Sequence, residues 1–200
     1  MHKCSCRRRP ATPPHHARTM HWCSCRRCTG VIVAAHATDK GGSRTQEDEA
    51  LGRSRGGFGT KLHLVTDGGG LPLAATISPG QAHESKSFEE TMDAVRIPVP
   101  GGGLQRRPER LAGDKGYSYG RIRDWLRQHR IDAVIPYRSN QKPGRTPLDK
   151  DAYRRRNVVE RCIGWMKENR RIGTRFEKLG AMFLAMVQMA IILRYLRRLF

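Results

Sequence analysis

Two stretches of the sequence combine residue types that could hold a metal ion and a phosphate group. In the first, 111–117, Asp114 follows a short apolar run and stands beside Lys115. A carboxylate directly after a buried strand lies at the carboxyl end of a sheet, where the sites of α/β proteins gather. The same Asp-Lys-Gly sequence also permits a turn aspartate ahead of a helix. Asp114 is therefore a candidate site residue with a structural alternative.

The second stretch, 153–167, predicts a stripe of polar side chains along one helix face. Spacings of 3, 4 and 7 positions place four residues on that face: Tyr153, Arg156, Glu160 and Lys167. One carboxylate among cations suits a metal ion held against a nucleic-acid backbone. A solvated salt-bridge face is the ordinary alternative for such a pattern.

The elements that must position these residues alternate in type. Sequence patterns predict three strands, with a tight turn at 67–70, then a helix, a strand, a helix, a strand and two long C-terminal helices. This order indicates a mixed α/β sheet, as in a ribonuclease H-like core. The predicted strands are 31–35, 59–67, 71–78, 110–113 and 131–137. The predicted helices are 84–95, 119–128, 148–171 and 181–198, and the predicted loops are 38–57, 98–108 and 138–147.

The charge of the chain favours a polyanionic partner. Its 200 residues include 38 Lys and Arg against 18 Asp and Glu, a net charge of +20. A field of that sign attracts phosphate, so nucleic acid is the first partner to expect and an anionic membrane surface the second. The balance argues against a secreted disulfide scaffold and against an enzyme that handles only small neutral substrates.

The distribution of apolar residues bears on where in the cell the protein is expected. No apolar run comes after the basic N-terminus as it would in a signal peptide. The apolar stretch 181–196 is shorter than the ~20 residues that a membrane span needs, and Gln188 and Arg194 interrupt it. We therefore expect a buried or dimer-forming helix there and a cytoplasmic protein.

The first 30 residues form a separate basic segment that is rich in cysteine. Three interpretations stay open for it: a zinc site, a disordered basic arm, or residues read out of frame. The zinc interpretation is weakened because a single pair, Cys25 and Cys28, has the spacing of a zinc knuckle. Five of the six cysteines lie in this segment: Cys4, Cys6, Cys23, Cys25 and Cys28.

The polar stripe and six further stretches match a known sequence pattern. The signature Tyr-x2-Arg-x3-Glu-x6-Lys is met in full at 153–167. It resembles the signature of bacterial insertion-sequence transposases of the DDE type, and the resemblance covers about residues 31–200. The other stretches that resemble this family, in the same order, are 49–58, 60–69, 79–84, 113–117, 134–140 and 170–179.

The resemblance implies a ribonuclease H-like fold and a phosphoryl transfer in which three carboxylates hold two Mg²⁺ ions. Asp114 matches the second of these carboxylates and Glu160 the third, so both are expected to be catalytic and to bind metal. The partners implied are the terminal repeats of the element and its target DNA. The residues expected to contact DNA are Tyr153, Arg156, Lys167 and Lys115.

The family's first carboxylate has no counterpart in this sequence. Aligning His36 places Thr29 where the family carries an Asp ahead of the strand. Asp39, expected after that strand, and Asp67 are not well placed to substitute. The family's upstream helical DNA-binding part also finds no match. We therefore expect residues 31–200 to be an incomplete catalytic domain, residues 1–30 a disordered or out-of-frame arm, and the product truncated or frameshifted, with impaired catalysis.

These observations leave three classes of function. The first is a DNA transposase impaired by the missing aspartate. The second is a non-catalytic DNA-binding remnant that binds or interferes at element ends, pairing as a homodimer through 181–196. The third is a zinc-bearing basic module, which depends on the N-terminal cysteines. For the first two, a cytoplasmic, nucleoid-associated location is expected.

Overall fold

A six-stranded mixed sheet positions the rest of the molecule. The structure is a computed structural model that describes residues 30–39, 50–54, 57–98, 102–105, 107–142, 144 and 147–199, with the backbone alone for 30–39, 98 and 199. The strands of the sheet are β1 (Gly30–Asp39), β2 (Gly52–Ser54), β3 (Gly57–Thr66), β4 (Pro72–Pro79), β7 (Arg110–Gly113) and β8 (Asp132–Val134). The cysteine-rich stretch before position 30 lies outside the described residues.

The strand direction changes once across this sheet. β3 pairs antiparallel with β1, β2 and β4, whereas β7 pairs parallel with both β1 and β8. The order is β2-β3-β1-β7-β8, and β4 joins β3 outside that path. The predicted mixed α/β sheet is therefore confirmed at this level. A separate two-stranded pair, β5 (Ile97–Pro98) and β6 (Leu104–Gln105), lies at and within the predicted loop 98–108.

The turn between β3 and β4 is fixed by its own side chain. Asp67 Oδ1 accepts hydrogen bonds from the backbone N–H of Gly69 (2.9 Å) and of Leu71 (2.8 Å). Gly70 has a φ of +82°, and a Cβ added there would lie 3.5 Å from Val158. The predicted hairpin is thus confirmed, and its turn also packs against the start of a helix.

Three strand predictions need correction. β1 continues past residue 35 to Asp39, so Asp39 ends the strand instead of following it, and it pairs with Gly59. β2 lies inside the predicted loop 38–57, because Gly52–Ser54 extends the antiparallel ladder along β3. The last predicted strand is shorter than expected: β8 ends at Val134.

Helices cover both faces of the sheet. They are α1 (Phe88–Asp93), α2 (Gly120–Gln128), α3 (Lys150–Arg154), α4 (Asn157–Glu168), α5 (Arg170–Gly173) and α6 (Gly180–Leu199), with a 3₁₀ turn at Lys115–Tyr117. α1 is shorter than the predicted helix 84–95. Its predicted buried positions are confirmed, because Phe88, Met92 and Val95 are all at most 1% exposed.

The single helix predicted for 148–171 is wrong, because the chain forms three helices there. Around Arg155 and Arg156, three backbone hydrogen bonds span three residues instead of four, from Arg156 to Tyr153, Val158 to Arg155 and Val159 to Arg156. This tighter 3₁₀ winding rotates the side chains of α4 relative to their directions in an unbroken α-helix. Asn169 has extended backbone, and its Oδ1 accepts a bond from the N–H of Arg171, which starts α5 afresh.

Alternation along β3 divides the core between the two faces. Leu62 and Leu64 belong to a cluster with α4 and α6, whereas Val65 belongs to a cluster with α1 and α2. Successive strand residues point to opposite faces, so this division results from the period of two. The sheet is therefore sandwiched between two helical layers.

α6 is buried along one side and exposed along the other. Phe183, Val187 and Ala190 pack into the core, while Met189 and Ile192 are more than half exposed. α6 has 20 residues and is longer than the predicted apolar stretch 181–196. The expectation that this segment is too short to span a membrane is therefore not supported by the length of the helix. By length and composition, 180–198 is the single candidate span in the part of the chain that the structure describes.

His63 is a buried titratable group in the centre of β3. It is 1% exposed, and its Nε2 lies 2.7 Å from Ser78 Oγ. Burial, and then the charge of Lys61, lower the pKa of His63 from 6.5 to about 4. The folded protein thus keeps this imidazole neutral at pH values where the unfolded chain protonates it.

We expect His63 to destabilise the fold as pH falls from 6.5 towards 4, because in that range the unfolded state binds the extra proton. The loss should be about 2 kcal/mol between pH 7 and pH 5. In His63→Gln, which keeps a polar side chain beside Ser78, this pH-dependent loss of unfolding free energy should vanish. Urea unfolding of both proteins at the two pH values measures it, and equal slopes would contradict the assignment.

Candidate active site

Asp114 lies where the central parallel strands end. It comes directly after β7, and β7 pairs with β1 from Gly30 opposite Arg110 to Val33 opposite Gly113. Asp114 Oδ1 accepts a bond of 2.7 Å from the N–H of Gly116, so the residue also caps the 3₁₀ turn. Both interpretations from the sequence therefore apply, and capping leaves the carboxylate partly exposed.

A second carboxylate, that of Glu84, lies beside Asp114. A Cβ added to Gly116 would lie 2.6 Å from Glu84 Oε2 and 2.8 Å from Asp114 Oδ1. Both oxygens therefore lie close to the Gly116 backbone, and Asp114 Oδ1 also accepts the bond from its N–H. We call Glu84 and Asp114 the carboxylate pair. Sequence reasoning misses Glu84, because its pattern predicts the first residue of a surface helix.

The segment before α1 is held against α2, and this brings Glu84 to the pair. Tyr119 Oη and His83 Nε2 are 2.7 Å apart, and their rings meet edge to face. Arg121 donates to Ser85 O and forms an ion pair of 2.6 Å with Glu89. The only feature of the sequence that could have drawn attention to Glu84 is the stretch 79–84, which resembles the family but has no role assigned to it.

Tyr117 lies next to the carboxylate pair in the buried layer. Its side chain is fully buried, and its hydroxyl makes no hydrogen bond within the described residues. Burial raises the pKa of Tyr117 well above its usual value, and the charges of Glu84 and Asp114 raise it further. The hydroxyl therefore stays protonated and lies within electrostatic reach of both carboxylates.

Three cationic side chains lie near the pair. Lys61 Nζ lies 3.8 Å from Glu84 Oε1 and donates to Ala82 O at 2.8 Å. Lys115 is exposed beside Asp114. The guanidinium of Arg138 donates to Lys115 O at 3.0 Å and lies 4.3 Å from the centre of the Tyr119 ring. Two carboxylates inside a rim of cations suit a metal ion together with phosphate oxygens.

The predicted polar stripe is split between two helices. Tyr153 belongs to α3, while Arg156 immediately precedes α4 and Glu160 lies in its first turn. Three of the four residues still lie together, since Arg156 forms an ion pair of 2.5 Å with Glu160 and its guanidinium lies 5.6 Å from the Tyr153 ring centre. Lys167 lies at the far end of α4, where partial burial lowers its pKa.

No contact within the described residues joins Glu160 to Asp114. Nor do these residues contain a group of three or more His, Cys, Asp or Glu side chains arranged to hold a metal ion. Asp67 is engaged in its own turn. The residue of β1 that continues the register to the level of Asp114 is Ala34, whereas the resemblance matches the family's first aspartate to position 29.

Comparison with known proteins identifies the family of this chain. The family model described as the transposase DDE domain matches residues 32–194, which is more than half of the chain. The chain belongs to the DDE transposase family. The matched range begins in β1 and ends in α6, so it includes Asp114, Glu160 and the carboxylate pair.

A curated relative is similar to part of this chain. A predicted transposase for the insertion sequence element IS402, from Burkholderia cepacia, is 34% identical over 122 residues. The match covers 60% of this chain and 54% of the relative. The chain therefore spans about half the length of the curated relative it matches.

We expect Glu160 to contribute little to the stability of the fold, so that its substitution tests function without unfolding the protein. Its side chain is 54% exposed, and an exposed pair four residues apart on a helix contributes about 0.3–0.5 kcal/mol. Glu160→Gln should therefore change the free energy of unfolding by less than about 1 kcal/mol in urea titrations. A loss above about 2 kcal/mol would identify Glu160 as a structural residue instead.

Proposed function

We propose that this chain is the catalytic portion of an insertion-sequence transposase that carries out metal-dependent phosphoryl transfer on DNA. The observation that carries the proposal is the position of Asp114. In a member of the DDE family, this carboxylate comes directly after the central parallel strand β7 and is bordered by cations. The strand order, with antiparallel β4, β3 and β1 followed by parallel β7 and β8, supports a ribonuclease H-like core for residues 31–200.

The proposed roles divide between metal binding and DNA binding. Asp114 and Glu160 would bind Mg²⁺, which, when bound, activates the attacking oxygen and stabilises the leaving one. Arg156 would orient Glu160 through their ion pair and bind phosphate with its remaining N–H groups. The other residues proposed to contact the DNA backbone are Tyr153, Lys167 and Lys115. The terminal repeats of the element and the target would be the DNA ligands, in the cytoplasm at the nucleoid.

We propose further that catalysis is impaired. The family's mechanism uses three carboxylates, and the first acidic residue of this sequence is Asp39, at the end of β1. Losing one carboxylate removes negative charge that offsets dehydration of the ions. By analogy with removal of a key electrostatic group, the rate should fall by about 10³-fold or more.

The second candidate function is DNA binding without cleavage. The charge distribution favours it, because residues 142–200 carry 15 Lys and Arg against 5 Asp and Glu. Binding of this kind depends on phosphate contacts and not on the carboxylates. It would survive the loss of catalysis.

We expect near-background nicking of a plasmid that carries the sequences flanking the gene, in Mg²⁺ or Mn²⁺. The physical reason is the missing carboxylate of the two-metal site. Gel electrophoresis of the supercoiled and nicked plasmid forms measures the rate. Asp114→Ala provides the baseline, because it removes a further metal ligand. Efficient, end-specific nicking that disappears in Asp114→Ala would contradict the impairment.

The affinity of the same two proteins for the end sequences tests the DNA binding that both candidate functions require. Wild type and Asp114→Ala should bind equally, with an affinity that falls steeply with salt because counterions are released from DNA. Binding with a shallow salt dependence would contradict both candidate functions.

We also propose that two copies of the chain pair through α6. Five residues on its exposed side have the alternating spacing of three and four that forms a coiled-coil seam. The segment 1–29 is a poor cover for this seam, since it carries seven Lys and Arg and no acidic residue. An antiparallel pair would keep the two copies of Arg197 and Arg198 at opposite ends. The seam consists of Met182, Ala185, Met189, Ile192 and Leu196.

We expect Met189→Lys to weaken self-association at least tenfold, because it would bury a charge in the seam. Gln188→Lys, a neighbour outside the seam, is the matched control and should associate like wild type. Sedimentation velocity over a concentration series measures both. A wild type that stays monomeric, or that binds neutral lipid vesicles through α6 instead, would contradict the pairing.

A further inference from the structure

We propose that Phe176, in the α5–α6 loop (residues 174–179), is a stacking surface for an unpaired nucleotide of bound DNA. The inference rests on the proposed function for the class of its ligand. It deepens that function by naming the form of DNA that this loop binds. Because stacking involves neither a metal ion nor cleavage, it can be tested by binding alone.

Burial is inverted at two neighbouring positions of the α5–α6 loop. Arg175 is 1% exposed, whereas Phe176 is 59% exposed. Arginine is almost never fully buried unless its charge is partnered, while phenylalanine is among the residues most often buried. The loop therefore places a charged side chain inside the protein and an aromatic ring in solvent, and the position of both needs a physical reason.

The hydrogen bonds of Arg175 explain the buried half of this inversion. Its guanidinium donates to the backbone oxygens of Glu177 (2.9 Å) and Lys178 (2.7 Å) within the loop. It also donates to Thr60 Oγ1 in β3. Since these bonds tie the backbone that follows Arg175 to the sheet, the ring of Phe176 is presented at a defined place on the surface.

That place is at the same edge and on the same face of the sheet as Asp114. Thr60, to which the loop is tied, pairs with Thr38 near the end of β1, and β1 runs parallel to β7. Thr60 lies two residues before Leu62, which belongs to the core cluster with α4 and α6. Asp114 lies two residues after Ala112, which belongs to the same cluster. Because side chains alternate along a strand, Thr60 and Asp114 lie on the face that α4 covers.

The separation of the two places suits one continuous strand of DNA. Asp114 is level with Ala34 in β1, and Thr60 is level with Thr38, four residues further along. With a rise of about 3.3 Å per residue and two strand spacings of about 4.8 Å each, Thr60 lies about 16 Å from Asp114. Successive nucleotides of a strand lie about 3.4 Å apart, so at most about five nucleotides cover this distance.

The charge around Phe176 favours a polyanion over an apolar partner. Residues 170–178 include four Lys and Arg against one Glu. Three of these cations, Arg170, Arg171 and Lys178, are exposed. A second copy of the chain seated on the same loop would bring these like charges together. Phosphate groups on either side of a stacked base would instead pair with them.

An aromatic side chain stacks on a base only where the face of that base is open. Inside a duplex both faces are covered by the neighbouring bases, so stacking requires an unpaired strand or a base turned out of the helix. Proteins that bind single strands combine a positively charged surface with aromatic side chains of this kind. Phe176 therefore fits an unpaired nucleotide.

The test compares two DNA probes on the purified full chain by fluorescence anisotropy: a single-stranded oligonucleotide and a duplex of the same sequence. Phe176→Ala should weaken binding of the single strand at least fivefold, because it removes one base–aromatic stack. It should leave duplex binding within twofold of wild type. Phe176→Tyr, which keeps an aromatic ring, should bind both probes like wild type.

Leu179→Ala is the matched control, because Leu179 lies in the same loop, is uncharged and is 52% exposed. It should bind the single strand within twofold of wild type. An equal loss in Phe176→Ala and Leu179→Ala would indicate a general apolar patch and overturn the inference. Sedimentation velocity tests a contact between copies: weaker self-association of Phe176→Ala, with unchanged affinity for the single strand, would also overturn it.

A base analogue reports the stack itself. The fluorescence of 2-aminopurine in an unpaired tail should change on binding to wild type and to Phe176→Tyr, and should not change on binding to Phe176→Ala. Wild-type affinity of Phe176→Ala for the single strand would overturn the inference and leave the proposed function standing. A wild type that binds the single strand through Phe176 but does not bind the duplex would uphold the inference and contradict the proposed function.

Discussion

The parallel pairing of β7 with β1 is the constraint on which the rest of the structure depends. It is the point where the antiparallel half of the sheet meets the parallel half. Because β7 is only four residues long, the chain leaves the sheet at Asp114 and turns at once into the 3₁₀ turn. The carboxylate is therefore presented at an edge of the sheet and is not buried within it.

The directions of the strands also determine where the segment after β4 lies. β4 runs in the same direction as β1 and β7, because β1 and β4 are both antiparallel to β3 and β7 is parallel to β1. The segment after β4 contacts Tyr119 and Arg121 at the start of α2 through His83, Ser85 and Glu89. Glu84 lies between His83 and Ser85, so these contacts fix its position. The carboxylate pair thus results from two connections that meet beside the 3₁₀ turn, each fixed by its own hydrogen bonds.

The electrostatic setting explains how so basic a chain can keep two carboxylates close together. Lys61 Nζ lies 3.8 Å from Glu84 Oε1, and Arg138 donates to Lys115 O in the turn that follows Asp114, so positive charge lies near both carboxylates. A surface of this kind favours polyanions and disfavours neutral ligands, in line with the net charge of +20.

Much of the fold could be predicted from the sequence because its signals are local. Alternation along 59–67 and the Asp-Gly-Gly-Gly turn predict the hairpin, and the short run 110–113 predicts β7 with Asp114 after it. The break at Arg155 and Arg156 could not be predicted, because both residues are good helix formers and no glycine or proline marks a break there. Glu84 escapes sequence reasoning for a related reason: its proximity to Asp114 joins two segments thirty residues apart, and no local pattern reports such a contact.

The central proposal is that the Asp114 carboxylate binds a metal ion at the end of β7. An anomalous difference map from crystals of the full chain grown with Mn²⁺ tests it most directly. The account predicts a peak about 2.0–2.6 Å from a carboxylate oxygen of Asp114. A fully occupied manganese site elsewhere, with no peak at Asp114, would contradict it.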